Sequence, residues 1–216
     1  MAYDLEEQEQ IDAIKAWWTK YGNLVTWVLI VALASYAGWA YWNRTQAEAA
    51  RNAAVIYQDL EKKLEAKNTA DVQKDADQLR KEFGKTIYAQ FAGLATAKLA
   101  ADAGDTKTAK AQLQLVIDGN YNEEIAVIAK VRLAGVLLDE KAYDDAMKLL
   151  GGDVSEKFQV LVLDRKGDIL AAQNKITEAR AMYQSAIDKS EEKSQTRQYI
   201  QVKLEAIGGT PAKSAA

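Results

Sequence analysis

Residues 88–115 read YAQFAGLATAKLAADAGDTKTAKAQLQL. Apolar residues recur three and four apart up to Ala103-Gly104-Asp105 and again beyond it, the pattern of two helices joined by a tight turn. A small residue, Ala97, stands on the first helix, and another, Ala109, stands twelve positions later on the second. The same pair recurs as Ala134 with Ala146 and as Gly167 with Ala179. Four residues beyond each second member comes an apolar residue, Leu113, Leu150 or Tyr183. Antiparallel helices approach closely only where the side chains at their crossing are small. The spacing therefore predicts a series of helical hairpins that share one packing geometry.

Ala109, Ala146 and Ala179 follow one another at intervals of 37 and 33 residues, and Ala76, 33 before Ala109, reads as a fainter first member. A period near 34 with small residues at these two places resembles the tetratricopeptide repeat. The first unit departs from the pattern, since Leu64 holds its small position. So does the third, where Gly151-Gly152 cut the second helix short and Asp153 replaces an apolar residue. Further breaks are expected at Lys67-Asn68-Thr69, Phe83-Gly84-Lys85, Asp118-Gly119-Asn120, Lys141-Ala142, Asn174-Lys175 and Lys189-Ser190. A last helix, Gln195 to Ile207, covers the final exposed face, and a small polar tail, residues 208–216, is expected to be disordered.

Upstream of the repeats lies a different kind of sequence. No charged residue occurs between Lys20 and Arg44, and all five tryptophans fall between positions 17 and 42. Residues 21–43 span about 34 Å as a helix, enough for a hydrocarbon core of about 30 Å. Trp17, Trp18 and Tyr21 flank one end and Trp39, Tyr41 and Trp42 the other, as interfacial aromatic belts do. Ala32-Leu33-Ala34 before Ser35 offers a signal-peptidase pattern. Against cleavage stand the acidic start (Asp4, Glu6, Glu7, Glu9 and Asp12) and an apolar run that continues past the site. Ile11, Ile14 and Trp17 or Trp18 mark one face of a short amphipathic helix over residues 5–20. Lys15 and Lys20 on one side and Arg44 and Arg51 on the other leave the orientation open by charge alone. Ala34 and Gly38, four apart, form a candidate contact for another membrane helix.

The expected organisation is thus all-α. An acidic tail with its amphipathic helix (1–20) and a transmembrane helix (21–43) precede a tetratricopeptide-like solenoid with a capping helix (44–207) and the tail (208–216). Beyond residue 43 the chain carries 26 basic and 26 acidic residues. The net charge of −3 argues against nucleic-acid binding. The chain has no histidine and no cysteine, which removes triad, thiol and zinc chemistry. Glu123-Glu124 and Asp144-Asp145 sit at helix starts, where acidic residues favour the helix dipole. Gly84-Lys85-Thr86 lacks the upstream glycine and the strand of a phosphate loop. No enzyme activity, metal or cofactor is expected.

A solenoid of this kind offers a concave surface built from the first helix of each hairpin. In the repeat register, Phe91, Leu94, Lys98 and Ala101 line it from the second unit. Ile128, Val131, Gly135 and Leu138 follow from the third, and Leu161, Asp164, Asp168 and Ala171 from the fourth. Phe91, Leu94, Ile128, Val131, Leu138 and Leu161 form the candidate protein-binding groove, suited to apolar segments of a partner. Packing against the neighbouring hairpin is the competing role for the same side chains.

The acidic start, the span ending in Gly38-Trp39-Ala40-Tyr41-Trp42-Asn43, and the repeat stretch with Leu94, Ala97, Ala109, Ala111, Gln112 and Leu113 resemble the bacterial YfgM family. These are ancillary subunits of the SecYEG translocon. The resemblance implies an inner-membrane protein with a cytoplasmic N-terminus and periplasmic repeats. It also implies association with SecYEG and with a membrane-anchored periplasmic chaperone of the prolyl-isomerase type. The reading is a scaffold that holds exported, unfolded polypeptide segments near that chaperone. The alternative is a helical-repeat scaffold for envelope assembly acting away from the translocon.

Overall fold

The structure is a computed structural model and describes residues 2–119 and 121–210. Its helices are α1 (Ala2–Glu65), α2 (Thr69–Phe83), α3 (Ile87–Asp102), α4 (Thr106–Gly119), α5 (Glu123–Asp139), α6 (Tyr143–Leu149), α7 (Glu156–Ala172), α8 (Ile176–Lys189) and α9 (Gln195–Ala206). No strand occurs among the described residues. The chain divides between Arg51 and Asn52 into two compact units. The expected boundaries at 20 and 43 fall inside the continuous helix α1. Asn120 and residues 211–216 lie outside the described residues, and with them most of the expected disordered tail.

In the first unit, α1 exposes every large apolar side chain from Leu24 to Trp42 that faces outward, including Leu24, Trp27, Leu33, Tyr36 and Trp39. It is the one helix among the described residues long and apolar enough to cross a membrane. Its two aliphatic hydroxyls within the span are already satisfied: Thr26 donates to the Gly22 carbonyl at 2.8 Å and Ser35 to the Val31 carbonyl at 2.7 Å. Neither brings an unpaired polar group into an apolar medium.

The second unit, from residue 52, is a run of antiparallel hairpins: the end of α1 meets α2 through Leu60, Val72 and the Lys63–Asp75 ion pair, then α3 packs with α4, α5 with α6, and α7 with α8. α9 packs on α8. The first helix of every pair stops in the same way. Lys67, Gly104, Lys141, Asn174 and Gly208 all adopt a left-handed conformation, with φ of 54°, 78°, 60°, 61° and 75°. The amide after each reaches back five residues: Asn68 to Lys63, Asp105 to Ala100, Ala142 to Leu137, Lys175 to Leu170 and Gly209 to Leu204. This is the Schellman closure, which satisfies carbonyls that a helix end leaves free. Two of the five positions use glycine, whose missing Cβ makes the conformation free of strain. At Lys67 and Lys141 it costs about 1 kcal/mol.

These turns give a firmer repeat register than the small residues alone. They recur at intervals of 37, 37, 33 and 34 residues. Ala109, Ala146 and Ala179 each stand five positions after a turn residue, all with no exposed surface. In the first hairpin the equivalent position is Val72, not Ala76, and its partner is Leu60, not Leu64. Val72 and Leu60 are both fully buried. The first crossing is therefore built from large side chains, and Ala76 is an ordinary core residue. By the same register α9 holds the place of a first helix in the repeat. Gly167 shows why the small positions matter: a Cβ there would lie 2.5 Å from the Tyr183 ring, itself buried. As expected from Gly151-Gly152, α6 is cut to seven residues.

Candidate protein-binding site

The six apolar residues of the expected groove separate in the structure. Leu94 and Val131 are 6% and 3% exposed and belong to two core clusters, Leu94 with Leu113 and Ala129, and Val131 with Ala146 and Val162. They are core residues and not groove residues. The reason is geometric: a residue on a first helix can face the open side or the next hairpin, and helical spacing alone does not tell the two apart. Leu138 is half-buried and packs against the same cluster as Val131. Phe91 and Leu161 remain, while Ile128, like Leu138, is half-buried and packs against a core cluster, the one that holds Leu94. Phe91, Ile128 and Leu161 each stand thirteen residues before a left-handed turn, so they hold one repeat position on α3, α5 and α7. Phe91 is 36% and Leu161 37% exposed. Phe91 is braced by the Tyr57 ring, 6.2 Å away between centroids.

An open hollow further along the same helices has an apolar base of Ala97, Leu113 and Val136 under charged walls. It has a volume of about 400 Å³ and is also lined by Lys98, Ala101 and Asp102 of α3, Arg132, Gly135 and Asp139 of α5, and Arg165 of α7. Lys98 pairs with Asp102 at 2.6 Å, and Arg132 donates to the Leu94 carbonyl at 3.4 Å. Arg165 lies flat against Gly135, where a Cβ would stand 3.4 Å from the guanidinium carbon. It pairs with Asp168 at 3.2 Å. Sequence patterning missed Arg132 and Arg165, because an arginine on an amphipathic helix reads as solvated surface. The face as built offers exposed Phe91 and Leu161 and, further along, a hollow with an apolar base and walls of mixed charge.

Asp164 and Asp168, expected on the same face, are closed off by α9. Lys203 reaches both carboxylates at 2.8 Å, and Tyr183 donates its hydroxyl to Asp168 at 2.8 Å. The Lys203 ammonium also sits 4.7 Å from the Tyr199 ring centroid. Burial pushes the Asp164 carboxyl above the usual carboxylate range, against the pull of Lys203. Burial, with the Asp168 hydrogen bond, pushes the Tyr183 hydroxyl up as well. The signal for Lys203 lies in its place in line with Ile200 and Leu204, on the apolar stripe of α9, where a lysine needs a partner. In the first unit, Ala34 and Gly38 both lie on exposed parts of α1, and a Cβ at Gly38 would meet nothing within 4 Å. A second helix could approach there without obstruction.

Residues 15–209 match the tetratricopeptide repeat-like domain family. A protein of Neisseria gonorrhoeae named ancillary SecYEG translocon subunit is 32% identical over 208 residues, covering 96% of this chain and all of the relative. Proteins with the same name from Haemophilus influenzae and Escherichia coli are 30% and 26% identical, covering 83% and 92% of this chain and 91% and 95% of their own. No solved structure matches the chain. The match to the tetratricopeptide repeat-like family over most of the chain, and to these relatives over nearly their whole length, places the chain in the family of ancillary SecYEG translocon subunits, the YfgM family.

Proposed function

We propose that this chain is a membrane-anchored, non-catalytic scaffold at the Sec translocon, which binds exported polypeptide segments and brings them to a membrane-anchored periplasmic chaperone of the prolyl-isomerase type. One observation carries the reading: a bare apolar helix long enough for a bilayer and a repeat array with an open face occur in one chain. The relatives' name supplies the translocon. Anchoring confines the array to the membrane surface, so that weak contacts suffice at high local concentration. The orientation that agrees with this role has the N-terminus in the cytoplasm of the inner membrane and the repeats in the periplasm. The partner surface is carried by Phe91 and Leu161, and the membrane contact is the Ala34–Gly38 face.

The test is co-purification from membranes of the full chain carrying Phe91→Ser and Leu161→Ser. Both side chains are only a little over a third exposed, so each change should cost about 1–2 kcal/mol, and recovery is compared well below the melting temperature of the variant. Recovery of chaperone should fall while SecYEG recovery persists through the span. Unchanged recovery of both would remove this face from the function. The orientation has its own check. Protease added to intact spheroplasts should digest the repeats, and resistance until the membrane is lysed would reverse the topology.

A further inference from the structure

A second cavity lies away from the face just described and shares no lining residue with it. Its volume is about 300 Å³, and it opens between α2 and α4, the second helices of two consecutive hairpins, with α3 as its floor. Ala89, Leu115 and Val116 give it apolar walls. Gly93 brings α3 close to α4, since a Cβ there would lie 2.6 Å from a Val116 methyl. On the floor is Gln90, 5% exposed, and neither its amide nitrogen nor its amide oxygen has a hydrogen-bond partner. A buried side-chain amide left unpaired costs about 1–3 kcal/mol. Every other buried polar side chain of this helix is satisfied or caps it; Thr96, for example, donates to the Ala92 carbonyl at 2.8 Å.

We infer that this cavity is a seat for an extended polypeptide segment, which inserts one apolar side chain and pairs the main-chain N–H and C=O of one residue with the Gln90 amide. The donor and acceptor of a glutamine amide match the carbonyl and N–H of one residue of an extended strand, which point to the same side, so a single strand satisfies both orphaned atoms. The charges at the rim make no competing demand. Arg80 is engaged by Asp77 at 2.7 Å and Asp118 by Gln114 at 2.7 Å, so nothing there selects an ionic ligand. The volume is at the lower end of the range of about 300–1,000 Å³ for ligand pockets, room for one or two side chains. Leu115, 39% exposed at the edge, extends the apolar surface along the path of a bound chain. The inference rests on the scaffold reading only in that both concern polypeptide. It adds one subsite on the side of the second helices, between α2 and α4, selected by a side-chain amide and not by a carboxylate.

The test uses the full chain in detergent micelles, without translocon, and the uncharged probe acetyl-Ala-Leu-Leu-Ala-amide. Selective labelling follows the Gln90 side-chain amide by NMR, and the methyls of Val116, which lines the same cavity, report binding in the variants as well. The expected result is a saturable shift of that amide, with binding weakened by about tenfold or more in Gln90→Met, which keeps the shape and removes both polar atoms. Gln90→Met should also melt at a higher temperature, because it deletes an unpaired buried amide. Should that variant not fold, Leu115→Ser at the exposed edge carries the same comparison. No saturable shift up to millimolar probe overturns the proposal, and so does equal binding by wild type and Gln90→Met. A lower melting temperature in Gln90→Met with no probe binding would show that the amide is merely hydrated, which also overturns it. Because no translocon or chaperone is present, this result is separate from the co-purification above.

Discussion

Replacing Ala146 with Glu lowers the melting temperature of the helical signal by about 10–20 °C, the shift that about 5 kcal/mol produces in a domain of this size. Ala146 has no exposed surface and lies among Val127, Val131, Ala134, Leu150, Val162 and Ile169. A glutamate there meets two separate penalties. Its extra volume has no cavity to enter, which costs about 1–3 kcal/mol. Its carboxylate has no cationic neighbour, so it must take up a proton or force α5 and α6 apart. Together these reach the scale of total domain stability, about 5–15 kcal/mol. The measurement is far-ultraviolet circular dichroism on heating the full chain in detergent, with Ala181→Glu on the exposed side of α8 as the control. Similar melting of the two variants would mean that the crossing positions are misplaced.

The second large effect is at the other end of the array. Lys203→Ala removes the ammonium that joins α9 to Asp164 and Asp168. Breaking a buried ion pair by deleting one partner costs about 3–5 kcal/mol; these side chains keep some contact with water, so about 2–4 kcal/mol is expected. The loss should depend on pH with a definite sign. A carboxyl whose folded pKa lies above its unfolded value, about 3.9 for Asp, binds its proton more readily when folded. Its contribution is then complete below the unfolded value and is lost as pH rises through the folded one. Asp164 is already raised by burial, and Lys203 opposes that rise. Without Lys203 the rise grows, so the variant's deficit is largest near neutrality and shrinks on acidification. Asp164→Asn in the same background should recover part of the loss. A deficit that is constant from pH 4 to pH 7, or no recovery, would show that Lys203 acts through its aliphatic packing alone.

The hairpin order and nearly every helix limit were legible because short turns interrupt long helical patterns. The small residues at the crossings were legible too, since a helix crossing constrains volume directly. What the letters hid were features that depend on which neighbour a side chain faces. Leu94 and Val131 carry the same apolar character as Phe91, yet they turn into the core. Lys67 and Lys141 adopt a backbone conformation that lysine does not advertise, so the first hairpin was read one turn of helix late, on Ala76. Gln90 was not singled out in the sequence, where a lone amide in an alanine-rich helix passes as surface. Its unpaired state emerges only when α2, α3 and α4 are assembled around it.

The shortened α6 gives the array a fuse. Seven residues are far fewer than the about 12–15 at which an isolated helix becomes even marginal. Its start at Ala142 has no side-chain cap, and an irregular stretch follows it before α7. α6 therefore exists only while α5 and α7 hold it from either side. In a linear array each unit couples only to its neighbours, so the weakest link decides how far cooperativity travels. Amide hydrogens of α6 should exchange ahead of the other repeat helices, through an opening that leaves the blocks on either side folded. A pull on the chain would part it here first, and the flanking hairpins would act as two separately cooperative springs.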